Sequence, residues 1–302
     1  MNDVRFAAIL GVKDEIELLD SCIAHLWTIG VDRIIALDAG STDGSLECLQ
    51  RNRSERLQLI QFDGLDPAID AWERVNMEAV RGSGAEWVLF QDADEFWLPA
   101  HGSLARCAGL DDLDVLRVDR FNVPLGTDGP CTRLPPDLET PLIVAEIPRF
   151  RQHIEQHPDT PWIRGVPVPK VMARRECIAG LGNACHDIVS TGEAPLRKAR
   201  PRDVVIAHLP FSTPTRFRRK VDNIRQVFTV YADYFREHPG EAWHWRRWLS
   251  LEDAAAMDRE FWRQAFDAAT LEAYRRDGII NDASTLFAKV GVASFEAEPA
   301  SG

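Results

Sequence analysis

Residues 86–97 read EWVLFQDADEFW. An apolar run here leads directly into three acidic residues, Asp92, Asp94 and Glu95. A short, continuous apolar run bounded by polar residues is typical of a strand that is buried on both faces. The sequence therefore predicts a central strand over residues 87–91 that brings its acidic residues to the end of a sheet.

The chain upstream of this stretch repeats one pattern three times. Apolar runs at residues 6–12, 33–38 and 57–62 alternate with segments of helical periodicity at residues 18–27, 45–50 and 68–81. Strands that alternate with helices at this spacing predict a parallel sheet with helices on both faces. The predicted fold class is therefore α/β, with a mostly parallel sheet.

Acidic residues follow three of the four predicted strands. They are Asp14 and Glu15 after the first strand, Asp38 and Asp43 after the second, and Asp92, Asp94 and Glu95 after the fourth. The carboxyl ends of parallel strands share one edge of the sheet, and open sheets bind their ligands beyond that edge. We therefore expect these acids to converge on one site.

The regular alternation ends near residue 100. Residues 122–169 are rich in proline, which indicates long loops or short antiparallel strands. Residues 214–237 and 241–290 have helical patterns with many aromatic residues and arginines. The second half is therefore predicted as a mixed, loop-rich segment followed by a helical C-terminal part.

The 302-residue chain has a formal net charge of -12, and this charge is unevenly distributed. Residues 1–150 hold 13 basic and 27 acidic residues, whereas residues 151–302 hold 22 and 20. An acidic chain repels phosphate backbones, so nucleic acid is not an expected partner. The surplus carboxylates of the first half either bind a cation or form a solvated acidic surface.

Cysteine spacing and hydropathy indicate the cellular compartment in which the protein is expected. The six cysteines form no CxxC pair, which disfavours a zinc knuckle, and they are too sparse for a disulfide scaffold. The first apolar run is too short for a signal peptide, and no stretch reaches the roughly 18–20 apolar residues of a membrane span. We therefore expect a cytoplasmic protein with reduced cysteines.

The Asp92-x-Asp94 pair is the strongest candidate for chemistry. Two carboxylates at a strand end can supply oxygen ligands to one Mg²⁺ or Mn²⁺ ion, with water and substrate phosphate as further ligands. Without a cation the two carboxylates would repel each other. The alternative is an ordinary acidic loop, because Asp-x-Asp also occurs by chance.

The acids after the first two strands have two interpretations. Asp38 suits either a ribose diol or base edge, or a turn in which it binds the backbone of Ser41 or Thr42. Asp14 and Glu15 suit a similar ligand contact, or a solvated loop.

Four blocks together carry a family resemblance. AILGVKDE, IIALDAGSTDGS, WERVNMEAV and EWVLFQDADEFW, in this order and spacing, resemble the nucleotide-sugar-binding half of a family 2 glycosyltransferase of the GT-A fold. The DADEF form resembles the subgroup whose fourth strand ends in D-x-DEF. The resemblance covers roughly residues 5–98.

This resemblance implies a role for several residues. Beside the nucleotide, it implies Asp14 and Glu15 near the base, Asp38 near the base and ribose, and Asn76 on the helix that faces the donor. At the metal, it implies Asp92 and Asp94, which bind the ion that bridges the diphosphate. The family usually has Asn-Glu where this chain has Asp14 and Glu15.

The second half shows a weaker resemblance to the same subgroup. In VPKVMARRECIAGLGNACHDI, Lys170 begins a strand and His186 follows a Gly-rich turn. In IAHLPFSTPTRFRRKV, the resemblance places His208 near the metal and Lys220 on a helix. Neutral imidazole is a good ligand for manganese, although His208 also suits a buried or capping role.

An inverting transfer needs a base that takes the proton from the acceptor hydroxyl. Glu95, beside the Asp-x-Asp pair, is one candidate, and its alternative is a structural acid that caps the next turn. Asp187, next to His186, is the other.

Two clusters near the C-terminus each have a structural and a functional interpretation. The basic run of Arg216, Arg218, Arg219, Lys220 and Arg225 suits the solvated face of an amphipathic helix, or a contact with a diphosphate, an anionic lipid carrier or a membrane surface. The aromatic group of Trp243, Trp245, Trp248, Phe261 and Trp262 suits core packing, or a sugar-stacking platform.

The resemblance thus implies an enzyme with a GT-A-like domain over residues 1–212, a donor half at 1–100, an acceptor half at 101–212, and a helical extension at 213–302. It implies a metal-dependent, inverting transfer of a sugar from a UDP- or GDP-linked donor to a glycan or lipid-linked acceptor, in surface-glycan or polysaccharide synthesis. A peripheral contact with the inner face of the membrane is an option for the basic helix.

Three other classes remain to be distinguished. A phosphohydrolase of the haloacid dehalogenase type also uses Asp-x-Asp, but at its first strand and followed by Thr or Ser, whereas here the pair ends the fourth strand and precedes Glu95. A nucleotidyltransferase would need a Gly-rich, basic first loop. A non-catalytic carbohydrate- or protein-binding module would not turn over a sugar nucleotide.

Overall fold

The structure, a computed structural model, describes residues 4–182, 185–192, 194–290 and 295–297. Within them, the strands are β1 (Phe6–Val12), β2 (Arg33–Asp38), β3 (Leu57–Gln61), β4 (Trp87–Asp92), β5 (Glu95–Pro99), β6 (Val115–Val118), β7 (Arg120–Asn122), β8 (Leu125–Gly126), β9 (Gly129–Pro130), β10 (Pro141–Ile143), β11 (Lys170–Arg174), β12 (Ile178–Gly182), β13 (Asp187–Ser190), β14 (Lys198–Pro201), β15 (Val204–His208), β16 (Ala265–Phe266), β17 (Ile280–Asp282) and β18 (Phe295–Ala297). The helices are α1 (Ile16–Thr28), α2 (Ser45–Asn52), α3 (Ala71–Gly82), α4 (Phe150–Gln156), α5 (Pro214–Val230), α6 (Ala232–Glu237), α7 (Trp243–Leu249), α8 (Ala254–Arg263), α9 (Ala268–Arg276) and α10 (Ala283–Val290).

The largest sheet has the strand order β18-β14-β6-β11-β4-β1-β2-β3. Strands β3, β2, β1 and β4 are parallel to one another, as the alternating pattern predicts. Beyond β4 the sheet is mixed, because β11 pairs antiparallel with both β4 and β6. The predicted α/β class is confirmed, and the parallel part is the part that the sequence pattern covers.

Strand β1 shows why the parallel strands read as continuous apolar runs. Successive side chains of a strand point to opposite faces of the sheet. Phe6 and Leu10 accordingly pack in the apolar core on one face, with Leu19 of α1, whereas Ile9 packs in the core on the other face, with Val80 of α3. With helices on both faces, every position of the strand is buried or nearly so.

A second, five-stranded sheet positions a further part of the site. Its order is β17-β10-β7-β15-β5, and of these strands β10 lies within the proline-rich segment. Strand β15 lies between β5 and β7, so that His208 pairs in register with Glu95 on one side and with Asn122 on the other.

Residues after 213 are mostly helical, but they also complete the sheets. Helices α5, α7 and α8 pack around a third apolar core that includes Phe217, Trp248 and Phe261. Strands β16, β17 and β18 pair with β8, β10 and β14 of the preceding chain. The C-terminal part is therefore helical in character and joined to the rest through its short strands.

The state of the cysteines and the length of the helices concern the whole of the described chain. Each of the six cysteines is a free thiol. In the described part of the chain, every helix is too short or too polar to span a membrane.

Candidate active site

Three parallel strands end at one edge of the large sheet. Strand β1 lies between β2 and β4, with Gly11 paired with Asp92 and Val12 paired with Asp38. The two acids therefore flank the end of β1. The register of the sheet brings the predicted acidic residues to the same edge.

Asp92, the last residue of β4, is bound by a buried lysine. Its Oδ2 accepts a hydrogen bond from Nζ of Lys170 at 2.7 Å, and the Asp92 side chain is 51% exposed against 3% for Lys170. Burial opposes the charge of Asp92, but the ammonium of Lys170 holds its pKa below the usual value. Asp92 thus presents an ionised, half-exposed carboxylate.

Asp94, in the turn after β4, is buried among nitrogen atoms. Its Oδ2 lies 2.7 Å from Nη2 of Arg216, 3.3 Å from Nζ of Lys220 and 3.6 Å from Nε2 of His208. Burial opposes the charge, but Lys220 and Arg216 hold the pKa of Asp94 well below its usual range. Asp94 is therefore ionised despite its burial.

The protonation of His208 follows from its neighbour Asn122. The Asn122 amide nitrogen donates to the carbonyls of Ile163 and Gly165 at 2.9 and 2.7 Å, which leaves its oxygen to face Nδ1 of His208 at 2.7 Å. Nδ1 must then carry the hydrogen, and Nε2 directs a lone pair toward Asp94. Burial lowers the pKa of His208 to about 4, so the imidazole is neutral near pH 7.

Asp94 and His208 form a pair of candidate ligands for Mn²⁺ or Mg²⁺. A carboxylate oxygen of Asp94 and the Nε2 lone pair of His208 face each other across 3.6 Å, and a cation between them would bind both. A hydrogen-bond acceptor that orients the distal nitrogen of the imidazole is the usual support for a metal-bound histidine, and the oxygen of Asn122 is such an acceptor. Over the described residues, no third His, Cys, Asp or Glu completes a compact cluster. Asp92, water or a substrate phosphate would supply the further ligands.

Glu95 has no access to an acceptor. It is fully buried; its Oε1 binds the guanidinium of Arg120, and its Oε2 accepts from the backbone N–H of Asp92 at 3.1 Å and lies 3.6 Å from Nζ of Lys170. Burial raises the pKa of Glu95 to about 7. A base must reach the proton that it removes. The geometry thus gives Glu95 the structural interpretation, in which it positions Asp92 and its lysine, and speaks against Glu95 as the base.

The second candidate base, Asp187, lies at the start of β13. Its side chain is 36% exposed and pairs with Nζ of Lys198 at 3.2 Å. Its neighbour His186 places Nδ1 2.9 Å from the carbonyl of Pro169, and burial together with the charge of Lys170 lowers the pKa of His186 to about 4. The structure thus places His186 near Lys170, whereas the side chain of Asp187 pairs with Lys198 and not with the Asp-x-Asp pair.

Helix α5 lies across the acidic edge of the sheet. Arg216, only 2% exposed, donates to both carboxylate oxygens of Glu15 and to Asp94, and Arg219 binds Asp43 at 2.8 Å. Burial raises the pKa of Glu15 although Arg216 opposes that shift. The interpretation of this basic run as a solvated helix face is therefore wrong for Arg216 and Arg219, because the surplus acids of the first half attract these residues.

The sequence at the start of α5 fixes where this helix begins. Thr213 caps it by accepting the backbone N–H of Arg216 at 3.1 Å, and Pro214 occupies the first turn, where its missing N–H costs nothing. The Thr213 hydroxyl also binds the carboxylate of Glu17 on α1 at 2.7 Å. One cap therefore sets both the helix start and its attachment to the first βα unit.

Asp14 and Asp38 serve the loops that follow their strands. Asp14, at a φ of 58°, accepts from the backbone N–H of Thr42 at 2.7 Å and from the side chain of Asn223 at 2.9 Å. Burial would raise its pKa, but these hydrogen bonds lower it overall. Asp38 is fully buried and accepts from the backbone N–H groups of Gly40 and Ser41, which is the turn-forming alternative.

Asn76 is buried on α3, where its side-chain nitrogen donates to the carbonyl of Trp72 at 2.8 Å. This places it on the face of α3 that packs toward the sheet. Its contact with a donor stays a prediction, as do those of Asp14, Glu15 and Asp38.

Two contributors to the site, Arg120 and Asn122, were not singled out from the sequence; they lie on the three-residue strand β7, which has no periodic pattern. Arg216 was noted only as part of a basic run, because its burial depends on partners about 120 and 200 residues away in the chain. The one local signal near Arg216 is the Thr213-Pro214 helix start. It predicts where the helix begins, but it does not predict which acidic residues Arg216 contacts.

Comparisons with known proteins show a limited similarity in structure. No family model and no curated protein matches the chain. A TarS structure from S. aureus, residues 1–349, aligns with 91% of this chain and 92% of its own length, at 14% identity and a TM-score of 0.38. Glucosyl-3-phosphoglycerate synthase from Mycobacterium tuberculosis, in complex with Mn²⁺, UDP and glucosyl-3-phosphoglycerate, aligns over 59% of each chain at 14% identity and a TM-score of 0.33. TM-scores this low do not assign the chain to a family or an activity.

Proposed function

We propose that the chain transfers a sugar from a nucleoside-diphosphate sugar to an acceptor hydroxyl, with inversion and with Mn²⁺ or Mg²⁺. One observation supports this most directly. At the carboxyl edge of the parallel sheet, the ionised Asp94 faces the lone pair of His208 while Lys220 and Arg216 bind the same carboxylate oxygen. Acidic side chains that would bind a metal ion thus lie beside basic side chains that would bind phosphate.

A metal-bound diphosphate would exchange partners with this network. Lys170 now pairs with Asp92, and Lys220 with Asp94. A divalent ion on the two aspartates and His208 would leave both lysines to bind the two phosphates, so that every charge keeps a partner. The ion supplies charge stabilisation for the departing diphosphate.

The nucleotide is proposed to bind at the loops after β1 and β2. Asp14 and Asp38 use their carboxylates to shape these loops, and Glu15 is held by Arg216. We infer that they present backbone groups and loop shape to the base and ribose, with Asn76 on the neighbouring helix. Whether the base is uracil or guanine is tested below.

Asp187 is the base that we retain, since its carboxylate is partly exposed and that of Glu95 is not. The acceptor is proposed to be a glycan or a lipid-linked sugar, and the reaction to take place in the cytoplasm. Asp187→Asn should abolish transfer to the acceptor while UDP or GDP binding persists. Retained transfer would remove Asp187 from this role.

The central test is a thermal-shift and hydrolysis screen of UDP- and GDP-sugars with and without Mn²⁺. We expect one sugar nucleotide to raise the melting temperature and to be hydrolysed only with the metal. Asp92→Asn and Asp94→Asn should each abolish this response. Asp111→Asn is the matched control, because that side chain is 95% exposed.

Three outcomes would contradict the proposal. If both aspartate variants keep the Mn²⁺-dependent response, the metal assignment is wrong. If wild type releases pyrophosphate from a nucleoside triphosphate and a sugar phosphate, a nucleotidyltransferase explains the site better. If it binds a sugar nucleotide without turnover, a non-catalytic module does.

A further inference from the structure

Four half-buried aromatic residues form a continuous row beside this site. The ring centroids of Trp162 and Trp243 are 4.9 Å apart, those of Trp162 and His244 are 6.2 Å apart at 21°, and those of His244 and Trp245 are 5.4 Å apart. None of the four is fully buried. We call Trp162, Trp243, His244 and Trp245 the aromatic row.

A hydrogen-bond chain connects the row to the candidate metal donors. Trp162 opens a short helical turn, and the next carbonyls of that turn, those of Ile163 and Gly165, accept from the amide of Asn122. The oxygen of the same amide holds Nδ1 of His208 at 2.7 Å. The position of Trp162 and the orientation of His208 therefore depend on one side chain.

His244 is the polar member of the row. Neither of its ring nitrogens has a hydrogen-bond partner in the described part of the chain. Burial, with the positive charges of Lys220 and Arg120, lowers the pKa of His244 to about 4. Lys220 contacts Asp94 and Arg120 contacts Glu95, so His244 is a neutral imidazole within electrostatic reach of both ends of the Asp-x-Asp-Glu segment.

Helix α7, which carries three members of the row, and helix α4, which packs on Trp162, each begin after a residue with a positive φ. Arg149, at a φ of 54°, precedes α4, whose Phe150 packs on Trp162 at 5.4 Å, and Ala242, at a φ of 46°, precedes α7. A left-handed backbone at a residue other than glycine costs about 1–3 kcal/mol and clusters at functional sites.

We propose that the aromatic row binds the ring face of a carbohydrate acceptor, with His244 as the hydrogen-bond partner of an acceptor hydroxyl. This inference rests on the proposed function and names its acceptor class. The apolar face of a sugar ring suits aromatic rings, and its hydroxyls need a few polar groups, which is the composition of the row. Among the described residues, Arg151 is the cation that stacks on the row, with its guanidinium 5.4 Å from the centroid of the Trp243 ring.

The test is a binding titration with four neutral tetrasaccharides, namely maltotetraose, cellotetraose, chitotetraose and mannotetraose. Saturation-transfer NMR is recorded on the full chain in the presence of UDP and Mn²⁺. We expect at least one tetrasaccharide to bind wild type, and Trp243→Ala to weaken it about tenfold. Trp243→Leu, which keeps apolar volume without the ring, should weaken it as well and covers the case in which the alanine variant does not fold.

Two further variants separate stacking from hydrogen bonding. His244→Phe keeps a ring in the row and removes both nitrogens, so we expect binding to persist at reduced affinity and transfer to fall more than binding. Trp262→Ala is the matched control, because Trp262 lies on α8 outside the row and is 45% exposed. It should leave binding at the wild-type level.

The proposal is overturned if wild type binds none of the four sugars, if both Trp243 variants bind as wild type does, or if Trp262→Ala weakens binding equally. UDP and GDP binding by wild type are measured separately in the absence of sugar. Binding of either nucleotide without sugar binding overturns this inference alone, whereas failure to bind both nucleotides overturns the proposed function. Sugar binding that depends on Trp243, without binding of either nucleotide, supports the row as a carbohydrate site on a non-catalytic protein.

Discussion

Nη2 of Arg216 lies 2.7 Å from Oδ2 of Asp94, although 122 residues separate them in the chain. The same guanidinium donates to both oxygens of Glu15 and to the carbonyl of Leu209. One buried cation thus connects the loop after β1, the turn after β4 and helix α5. The acidic edge of the sheet is complete only when α5 is docked on it.

Arg216→Ala should be strongly destabilising. Removing one partner of a buried ion pair leaves its carboxylates without a counter-charge, which costs about 3–5 kcal/mol. Arg218→Ala is the control, since Arg218 and Asp258 are 38% and 37% exposed, and an exposed pair contributes about 0–1 kcal/mol. Urea denaturation of both variants measures the free energy of unfolding. A loss below about 1 kcal/mol for Arg216→Ala would show that Asp94 and Glu15 do not depend on it.

A pair of glycines tests how tightly the loop after β2 is packed. A Cβ at Gly64 would lie 2.7 Å from both Cβ and the carbonyl oxygen of Ala39, whereas a Cβ at Gly82 meets no atom within 4 Å. Gly64→Ala should therefore cost about 1–3 kcal/mol, because backbone cannot move aside as a side chain can. Gly82→Ala, at the end of α3, should be neutral or stabilise by up to about 1 kcal/mol. Equal unfolding midpoints for the two variants would contradict this packing.

The first half of the fold could be predicted because its signals are local. Strands β1, β2 and β4 are apolar runs that are buried on both faces, and the predicted bounds of β1 and β2 agree with the structure. The convergence of Asp38 and Asp92 followed from topology alone, since parallel strands end at one edge.

The partners within the site could not be predicted in the same way. Asn122 and His208 meet because β7 and β15 pair in register, and this register depends on strands of three to five residues with no distinctive pattern. Likewise, Glu95 looks like an accessible acid beside Asp94 in the sequence. It is buried because Lys170 and Arg120, from β11 and β7, surround it.

His25 should make the stability of the fold depend on pH. It is buried on α1, and its Nε2 lies 2.6 Å from the carbonyl of Trp97, so Nε2 carries a hydrogen. Burial lowers the pKa of His25, and the hydrogen bond to Trp97 opposes this only in part. The unfolded state then binds the proton more readily, so this stabilisation is present above the unfolded pKa of about 6.5 and is lost as the pH falls below it.

The measurement is urea denaturation between pH 5 and 8 for wild type and His25→Gln, which removes the titrating group. We expect the wild-type free energy of unfolding to fall more steeply below pH 6.5, by at most about 1.4 kcal/mol per pH unit for one proton. Parallel curves for the two proteins would show that His25 does not contribute.

Asn122→Ala should weaken metal binding without removing a ligand. Asn122 fixes the hydrogen on Nδ1 of His208 and so directs the lone pair of Nε2 toward Asp94. The loss of such an orienting partner typically weakens metal affinity about 10–100-fold. Electron paramagnetic resonance of free Mn²⁺, titrated with the protein in the absence of nucleotide, measures this directly. Unchanged affinity would mean that His208 is not a ligand.

Lys220→Met should change metal binding in the opposite direction. Nζ of Lys220 lies 3.3 Å from Oδ2 of Asp94, where its charge competes with an incoming cation. Without nucleotide, we therefore expect Lys220→Met to bind Mn²⁺ roughly tenfold more tightly than wild type. With Mn²⁺ present, the same variant should bind UDP more weakly, because the lysine that turns from Asp94 to the phosphates is missing. Arg236→Met, which removes an exposed cation paired with Asp233, should change neither. Weaker Mn²⁺ binding by Lys220→Met alone would show that Lys220 supports the site and does not compete for it.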